Sequence, residues 1–150
     1  MAEWTERAEL LFKEEGLNKL RNSNVLVVGL GGVGSFAAEF LARAGVGKMT
    51  IVDGDIVDIT NINRQLPALH STVGEPKVTI VGDRLMDINP ELQLTRIREF
   101  LSPERAFEIV SEEYDYVLDC IDSITPKLNL IIGAKRKRVK IISSMGAGGK

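Results

Sequence analysis

Val25-Leu26-Val27-Val28-Gly29-Leu30-Gly31-Gly32-Val33-Gly34 is the stretch whose reading decides the fold. Its first four residues are apolar and mostly β-branched, the pattern of a strand buried on both faces. Gly29, Gly31 and Gly34 then fit the spacing G-x-G-x-x-G, with Gly32 as an extra glycine, and residues 33–44 follow as a helix ending at Gly45 and Gly47. Strand, glycine turn and helix in that order bring backbone N–H groups and the positive end of a helix dipole to one point, where a phosphate fits. The glycines allow a sharp turn, close approach of a ligand and close packing of helix on sheet. A tight strand–helix turn without a ligand has the same outline. The strand and helix context favours the phosphate-binding reading.

Outward from that stretch, 150 residues with 44% hydrophobic and 27% charged content describe one globular domain. A formal net charge of −2 excludes a polycation built for nucleic acid along its whole surface. Cys120 is the single cysteine, which excludes an internal disulfide framework and a four-cysteine zinc site within these residues. The opening Met-Ala-Glu-Trp-Thr-Glu-Arg has no apolar signal core, and no run approaches the ~20 residues of a membrane span. A cytoplasmic protein without membrane contact is the expectation.

Leu10, Leu11, Leu17 and Leu20 recur at helical spacing through residues 5–20, giving an amphipathic N-terminal helix weakened by Gly16. Residues 1–24 are read as a helical segment ahead of a nucleotide-binding domain over 25–150. Residues 48–53 form the second strand, and 54–76 a long loop of the kind that is usually functional. Pro76 opens a helix with Val78, Val81, Leu85 and Ile88 on one face, stopped by Asn89-Pro90. Residues 92–98 alternate as a third strand. Ser102-Pro103-Glu104 starts a helix expected to run to about Glu113. Residues 116–119 make a fourth strand, Thr125-Pro126 caps a helix to about Lys137, and 139–144 are the fifth strand. Gly146-Ala147-Gly148-Gly149 ends the chain as a flexible turn. Strands alternating with helices predict an α/β, Rossmann-like, doubly wound and mostly parallel sheet with helices on both faces.

In such sheets ligands sit outside the carboxyl ends of the strands. Asp53 ends the second strand, where a carboxylate can accept hydrogen bonds from ribose hydroxyls of either NAD or ATP. It could also be a turn aspartate in Asp53-Gly54-Asp55. The long loop holds Asn61, Asn63, Arg64 and Gln65, Lys77 opens the next helix, and Asp119-Cys120-Ile121-Asp122 ends the fourth strand. Cations for phosphoryl oxygens and a carboxylate for Mg²⁺ are what a triphosphate needs. Singly, Arg64 and Lys77 could be solvated and Asp122 a helix cap. Their gathering on three strand ends around one glycine turn favours ATP.

Gly29-x-Gly31-Gly32-Val33-Gly34, Asp53-x-Asp55, Asn61-x-Asn63-Arg64-Gln65, Lys77 and Asp119-x-x-Asp122 resemble the adenylation domain of the ubiquitin-activating-like (ThiF/MoeB/HesA) superfamily. Asp122-Ser123 with Pro126-Lys127, and the terminal glycines, are most similar to its tRNA threonylcarbamoyladenosine dehydratase branch. The resemblance implies that Gly29, Gly31, Gly32, Gly34, Asp53, Asp55, Asn61, Arg64, Gln65, Lys77, Cys120, Ile121 and Asp122 bind ATP. Asp122 would hold the Mg²⁺, and Arg7 would reach a neighbouring subunit's phosphates, which implies a homodimer. Arg7 could equally be a surface arginine. Cys120 reads as pocket wall, since nothing near it in sequence supplies a base. His70, the single histidine, is given no role. The basic run Lys135-Arg136-Lys137-Arg138 with Lys140 is either a solvated helix end or a small tRNA-phosphate patch. Members of the superfamily continue beyond a fifth strand, so a chain stopping at Lys150 is expected to be a truncated domain.

The function expected is ATP-dependent adenylation of a carboxylate, that of threonylcarbamoyladenosine in tRNA, followed by ring closure with loss of water. The alternatives are adenylation of a ubiquitin-like sulfur-carrier protein's C-terminus, an NAD-binding oxidoreductase domain, and a non-catalytic nucleotide-binding or dimerisation module.

Overall fold

In the structure, a computed structural model that describes residues 3–145, strand β1 (Asn24–Val28) divides its side chains between two cores. Val25 and Val27 face one and Leu26 and Val28 the other, as the two-residue period of a strand requires. Around it lie β2 (Lys48–Val52), β3 (Gln93–Ile97), β4 (Tyr116–Asp119) and β5 (Lys140–Ser143). All neighbours pair in parallel, in the order β3-β2-β1-β4-β5. The expected doubly wound sheet is present.

Helices α2 (Gly34–Ala44) and α3 (Lys77–Ile88) cover one face, bringing Ala38, Ala42, Val78, Val81 and Leu85 against Val25, Val27, Met49 and Ile51. Helices α4 (Pro103–Ile109) and α5 (Ile124–Arg136) cover the other, with Ala106, Ile109, Leu130 and Ala134 against Leu26, Val28, Val52 and Val117. Each large apolar side chain buried there contributes about 1.5–3 kcal/mol of transfer free energy. Because the chain changes face between β3 and β4, the carboxyl ends of β1 and β4 flank a crevice.

Three local expectations need correction. Helix α1 (Glu6–Arg21) is not one amphipathic rod, because Lys13 takes a left-handed φ of 59° and breaks it. Beyond the break Leu17 is buried and Leu20 packs on the core, but Leu10 and Leu11 are 82% and 75% exposed. Gly16 makes room instead: a Cβ there would lie 2.8 Å from Phe12 Cβ.

Helix α4 stops at Ile109, well short of Glu113. Acids at 112 and 113 would oppose the negative end of the dipole, and Lys137 Nζ donates to the Phe107 and Val110 carbonyls at 2.8 and 2.7 Å. The third correction is at α5, which begins at Ile124 with Ser123, not Thr125, in the cap position. Pro126 still falls in the first turn, where its missing N–H leaves no helical bond unmade. The loop over 54–76 holds two short 3-10 turns, Ile59–Asn61 and His70–Thr72. Gly146 to Gly149 lie outside the described residues.

Candidate functional site

The glycine turn is held by its neighbours from both sides. Gly29 adopts φ +94°, and a Cβ on it would lie 2.5 Å from the Cys120 carbonyl oxygen. At Gly34 a Cβ would overlap the Gly29 carbonyl at 1.6 Å, so the helix can start this close to the strand only with glycine. Gly31 and Gly32 are different. Their nearest neighbours are Gln65 Nε2 and Arg64 Cγ, each 3.6 Å from a would-be Cβ. Those two glycines keep the backbone bare beneath Arg64 and Gln65. Val33 supplies no side-chain cap to α2, so the positive end of the helix is left for a ligand.

A cleft of about 340 Å³ opens at this turn, the size range of a nucleotide pocket. It is lined by Gly29, Gly31, Asp53, Asp55, Gln65, Lys77, Cys120, Ile121 and Asp122. These come from the carboxyl ends of β1, β2 and β4, the long loop and the start of α3. Asp53 Oδ2 accepts from the Leu30 N–H and Oδ1 from the Asp55 N–H, both at 2.8 Å. The carboxylate is thus fixed against the glycine turn while each oxygen keeps lone-pair capacity for further donors.

Lys77 is 5% exposed, with Nζ 3.5 Å from Asp55 Oδ2. A buried ammonium in the first turn of a helix lies against the dipole, an arrangement that an incoming anion relieves. Gln65 is 8% exposed and its Oε1 has no partner, a buried acceptor in the cleft wall. It suits a donor on a bound molecule. Asp122 lines the cleft and is exposed, and Ser123 rather than Asp122 occupies the cap position of α5. Cys120 lines the cleft: burial first, and then the Asp119 carboxylate, push its thiol up to about 11, leaving it neutral near pH 7.

Other expected residues stand back from the cleft. Asn61 is buried, and its Oδ1 accepts from the Asp58 N–H in the capping box of a 3-10 turn. Arg64 donates to Thr60 O and Asn63 Oδ1 and lies over Gly32. Arg7 is exposed on α1, and Thr5, just before that helix, lines a recess with Gly47 and Gln93 at the amino ends of β2 and β3. That is the far end of the sheet from the cleft. Among the described residues no group of three or more His, Cys, Asp or Glu could hold a metal ion. Mg²⁺ is commonly held by one or two carboxylates plus substrate phosphates, so Asp122 fits it only with a phosphate present.

Several contributors escape a reading by motif. Glu99, Phe100 and Leu101, just past β3, complete the cleft wall. Gly54 admits them, since a Cβ there would lie 2.5 Å from the Phe100 nitrogen. The buried Ser35 hydroxyl donates to the Gly31 carbonyl and accepts from the Leu66 N–H, tying the turn to the loop. Beneath the cleft, Asp119 is fully buried and its Oδ2 accepts from Lys127 Nζ at 2.6 Å. Ser143 Oγ donates to the same oxygen, and Lys127 also donates to the Ser144 carbonyl. The Pro126-Lys127 step in the sequence was the available signal.

Residues 5–150 match the profile of the ThiF family. The chain is 49% identical over 144 residues to the tRNA threonylcarbamoyladenosine dehydratase of Bacillus subtilis, covering 96% of this chain and 57% of that protein. It is 38% identical over 132 residues to the molybdopterin-synthase adenylyltransferase of Escherichia coli, covering 88% and 53% respectively. The crystal structure of E. coli tRNA N6-threonylcarbamoyladenosine dehydratase, TcdA, in complex with ATP matches with a TM-score of 0.94 at 39% identity, covering 100% of this chain and 63% of that one. The chain spans little more than half the length of these curated relatives. No helix among the described residues is long and apolar enough to cross a membrane.

Proposed function

The chain belongs to the ThiF family, and from that premise we propose that it activates a carboxylate by ATP-dependent adenylation. The carboxylate is that of threonylcarbamoyladenosine in tRNA, which then closes a ring with net loss of water. The observation that carries the ATP reading is the buried Lys77 ammonium in one cleft with the uncapped start of α2 and the fixed Asp53 carboxylate. The tRNA part rests on the 49% identity with a protein named for that reaction.

Asp53 accepts from the ribose hydroxyls, and its two backbone donors hold it in place before the nucleotide arrives. The N–H groups of the glycine turn and Lys77 take the phosphates, and Gln65 Oε1 accepts a donor on the bound molecule. Asp122 would hold Mg²⁺, which would supply neutralisation of the phosphate charge. The substrate carboxylate oxygen attacks the α-phosphorus in line and pyrophosphate leaves. A carboxylate is already ionised at neutral pH, so positioning and charge neutralisation suffice. NAD is disfavoured because a buried Lys77 ammonium in the cleft exceeds what a dinucleotide held by backbone amides needs.

The test is mass spectrometry of the modified nucleoside after incubating threonylcarbamoyladenosine-containing tRNA with the complete protein. With Mg·ATP the nucleoside loses the mass of one water, and with NAD it does not. A ubiquitin-like carrier adenylate forming while the nucleoside stays unchanged would establish the alternative, favoured by the 38% identity with a molybdopterin-synthase adenylyltransferase.

Arg7 takes part across a two-fold axis. Thr5, two residues before it, lies near the amino ends of strands of five residues, and ~3.3 Å per residue puts the same chain's cleft roughly 16 Å farther on. A second copy can bring Arg7 to the phosphates. Mixing Arg7→Ala chains with Asp122→Asn chains is expected to restore activity, because each mixed dimer then has one intact site. Activity no higher than in either variant alone would make Arg7 a surface residue.

A further inference from the structure

We propose that Lys135, Arg136, Arg138 and Lys140 form a surface that grips RNA phosphates at the opposite end of the sheet from the adenylation cleft. This rests on the tRNA reading above and adds where the rest of the RNA is held. The basic run divides sharply in the structure. Lys137 is engaged by the carbonyls that end α4. The other four are exposed.

Two of the four lie on aromatic rings: Arg136 over Phe107 at 5.8 Å and Lys140 over Tyr116 at 5.4 Å from the centroids. Rings beneath a cation fix its stem and leave the charge facing outward. The ion pairs among the described residues involve none of the four. The acid preceding Tyr116, Asp115, accepts from the Asn24 N–H instead.

Arg138 is the decisive residue. It adopts φ 58° immediately after the cap of α5. Its N–H donates to Lys135 O and the Val139 N–H to Ala134 O, the paired bonds of a Schellman ending. Glycine is the usual residue at that position, because any Cβ is strained there. A solvated helix end would need only Lys135 and Arg136. It explains neither an arginine held at a strained position nor a lysine stacked on the neighbouring strand. Unpaired guanidinium and ammonium groups together suit phosphate oxygens.

The surface is remote from the chemistry. Lys140 and Tyr116, paired in register, are the first residues of β5 and β4, whereas Cys120 and Asp122 follow the end of β4 at the cleft. Four residues of strand separate them by ~13 Å. The four cations therefore hold a part of the tRNA other than the reacting nucleotide in the same chain's cleft.

Binding of tRNA to the complete protein across a salt series tests this. Each phosphate that the protein no longer neutralises should flatten the slope of log K against log salt by ~0.9, so Lys135→Gln/Arg136→Gln/Lys140→Gln flattens it by ~2.7. Arg138→Gly flattens it by ~0.9 while raising the melting temperature by ~2–4 °C. ATP binding by calorimetry stays unchanged in all. An unchanged slope in both variants, no tRNA binding by the parent, or weakened binding of a ubiquitin-like protein in place of tRNA overturns the proposal. Dehydration that fails while tRNA binding still depends on the four residues counts against the function proposed above and leaves this surface standing. Dehydration with an unaltered KM for tRNA in the variants does the reverse.

Discussion

Asp122→Asn is expected to lower the rate of pyrophosphate exchange by ~10²–10³ in the complete protein supplied with its carboxylate substrate. The change nearly preserves shape and removes one charge from the cleft rim, where Asp122 is exposed and no part of the α5 cap. Folding should therefore hardly change, and the loss should appear in the chemical step. The Mg²⁺ concentration needed for half-maximal activity should rise as well. Exchange within about threefold of the parent at every Mg²⁺ concentration would sink the metal-holding role, since removing a preorganised transition-state interaction costs far more.

Lys127→Met should show the largest effect on stability. It leaves the Asp119 carboxylate, with 0% exposure, without its ammonium partner. Removing one member of a buried pair costs about 3–5 kcal/mol, a large share of the ~5–15 kcal/mol that holds a domain together. Chemical denaturation should place the midpoint far below the parent's with little change in slope. Replacing both charges, Asp119→Asn with Lys127→Met, is expected to recover part of the loss, because the uncompensated charge is then gone. A double variant less stable than the sum of the singles would show that the hydrogen bonds to Ser143 and Ser144, not the ion pair, hold β4 to β5.

The parts legible in the sequence are those fixed by local pattern. The run 25–28, the glycine spacing and the face of Val78, Val81 and Leu85 each follow from a backbone period. Gly29 and Gly34 are where glycine is sterically required. What escaped was decided by residues far along the chain. The end of α4 is set by an amine at Lys137, 27 residues beyond Val110. The absence of Leu10 and Leu11 from the core follows from a left-handed Lys13, which has no composition signal. The pairing of Asp119 with Lys127 joins a strand end to a helix whose first turn sequence alone misplaced by an apparent cap at Thr125. Phe100 entered the cleft because Gly54 lacks a side chain, a relation between two loops with no periodicity to reveal it.

The division of β1 between two cores also bears on the order in which the chain can become stable. The buried residues of the first core all lie between 25 and 92, with Leu118 the one side chain from beyond β3 packed against it, and β1–β2–β3 close through contiguous crossovers. The second needs Ala106, Ile109, Val117, Leu130 and Val139, and β1 meets β4 only when Leu26 finds Val117, about 90 residues later. On a ribosome adding ~5–20 residues per second, Leu26, Val28 and Val52 therefore face water for seconds after the first core can form. The same interval leaves the long edge of β1 unpaired, open to strands of other nascent chains. A chaperone that shields this edge would bridge the interval until β4 pairs with β1, the strand whose carboxyl end also leads into the nucleotide cleft.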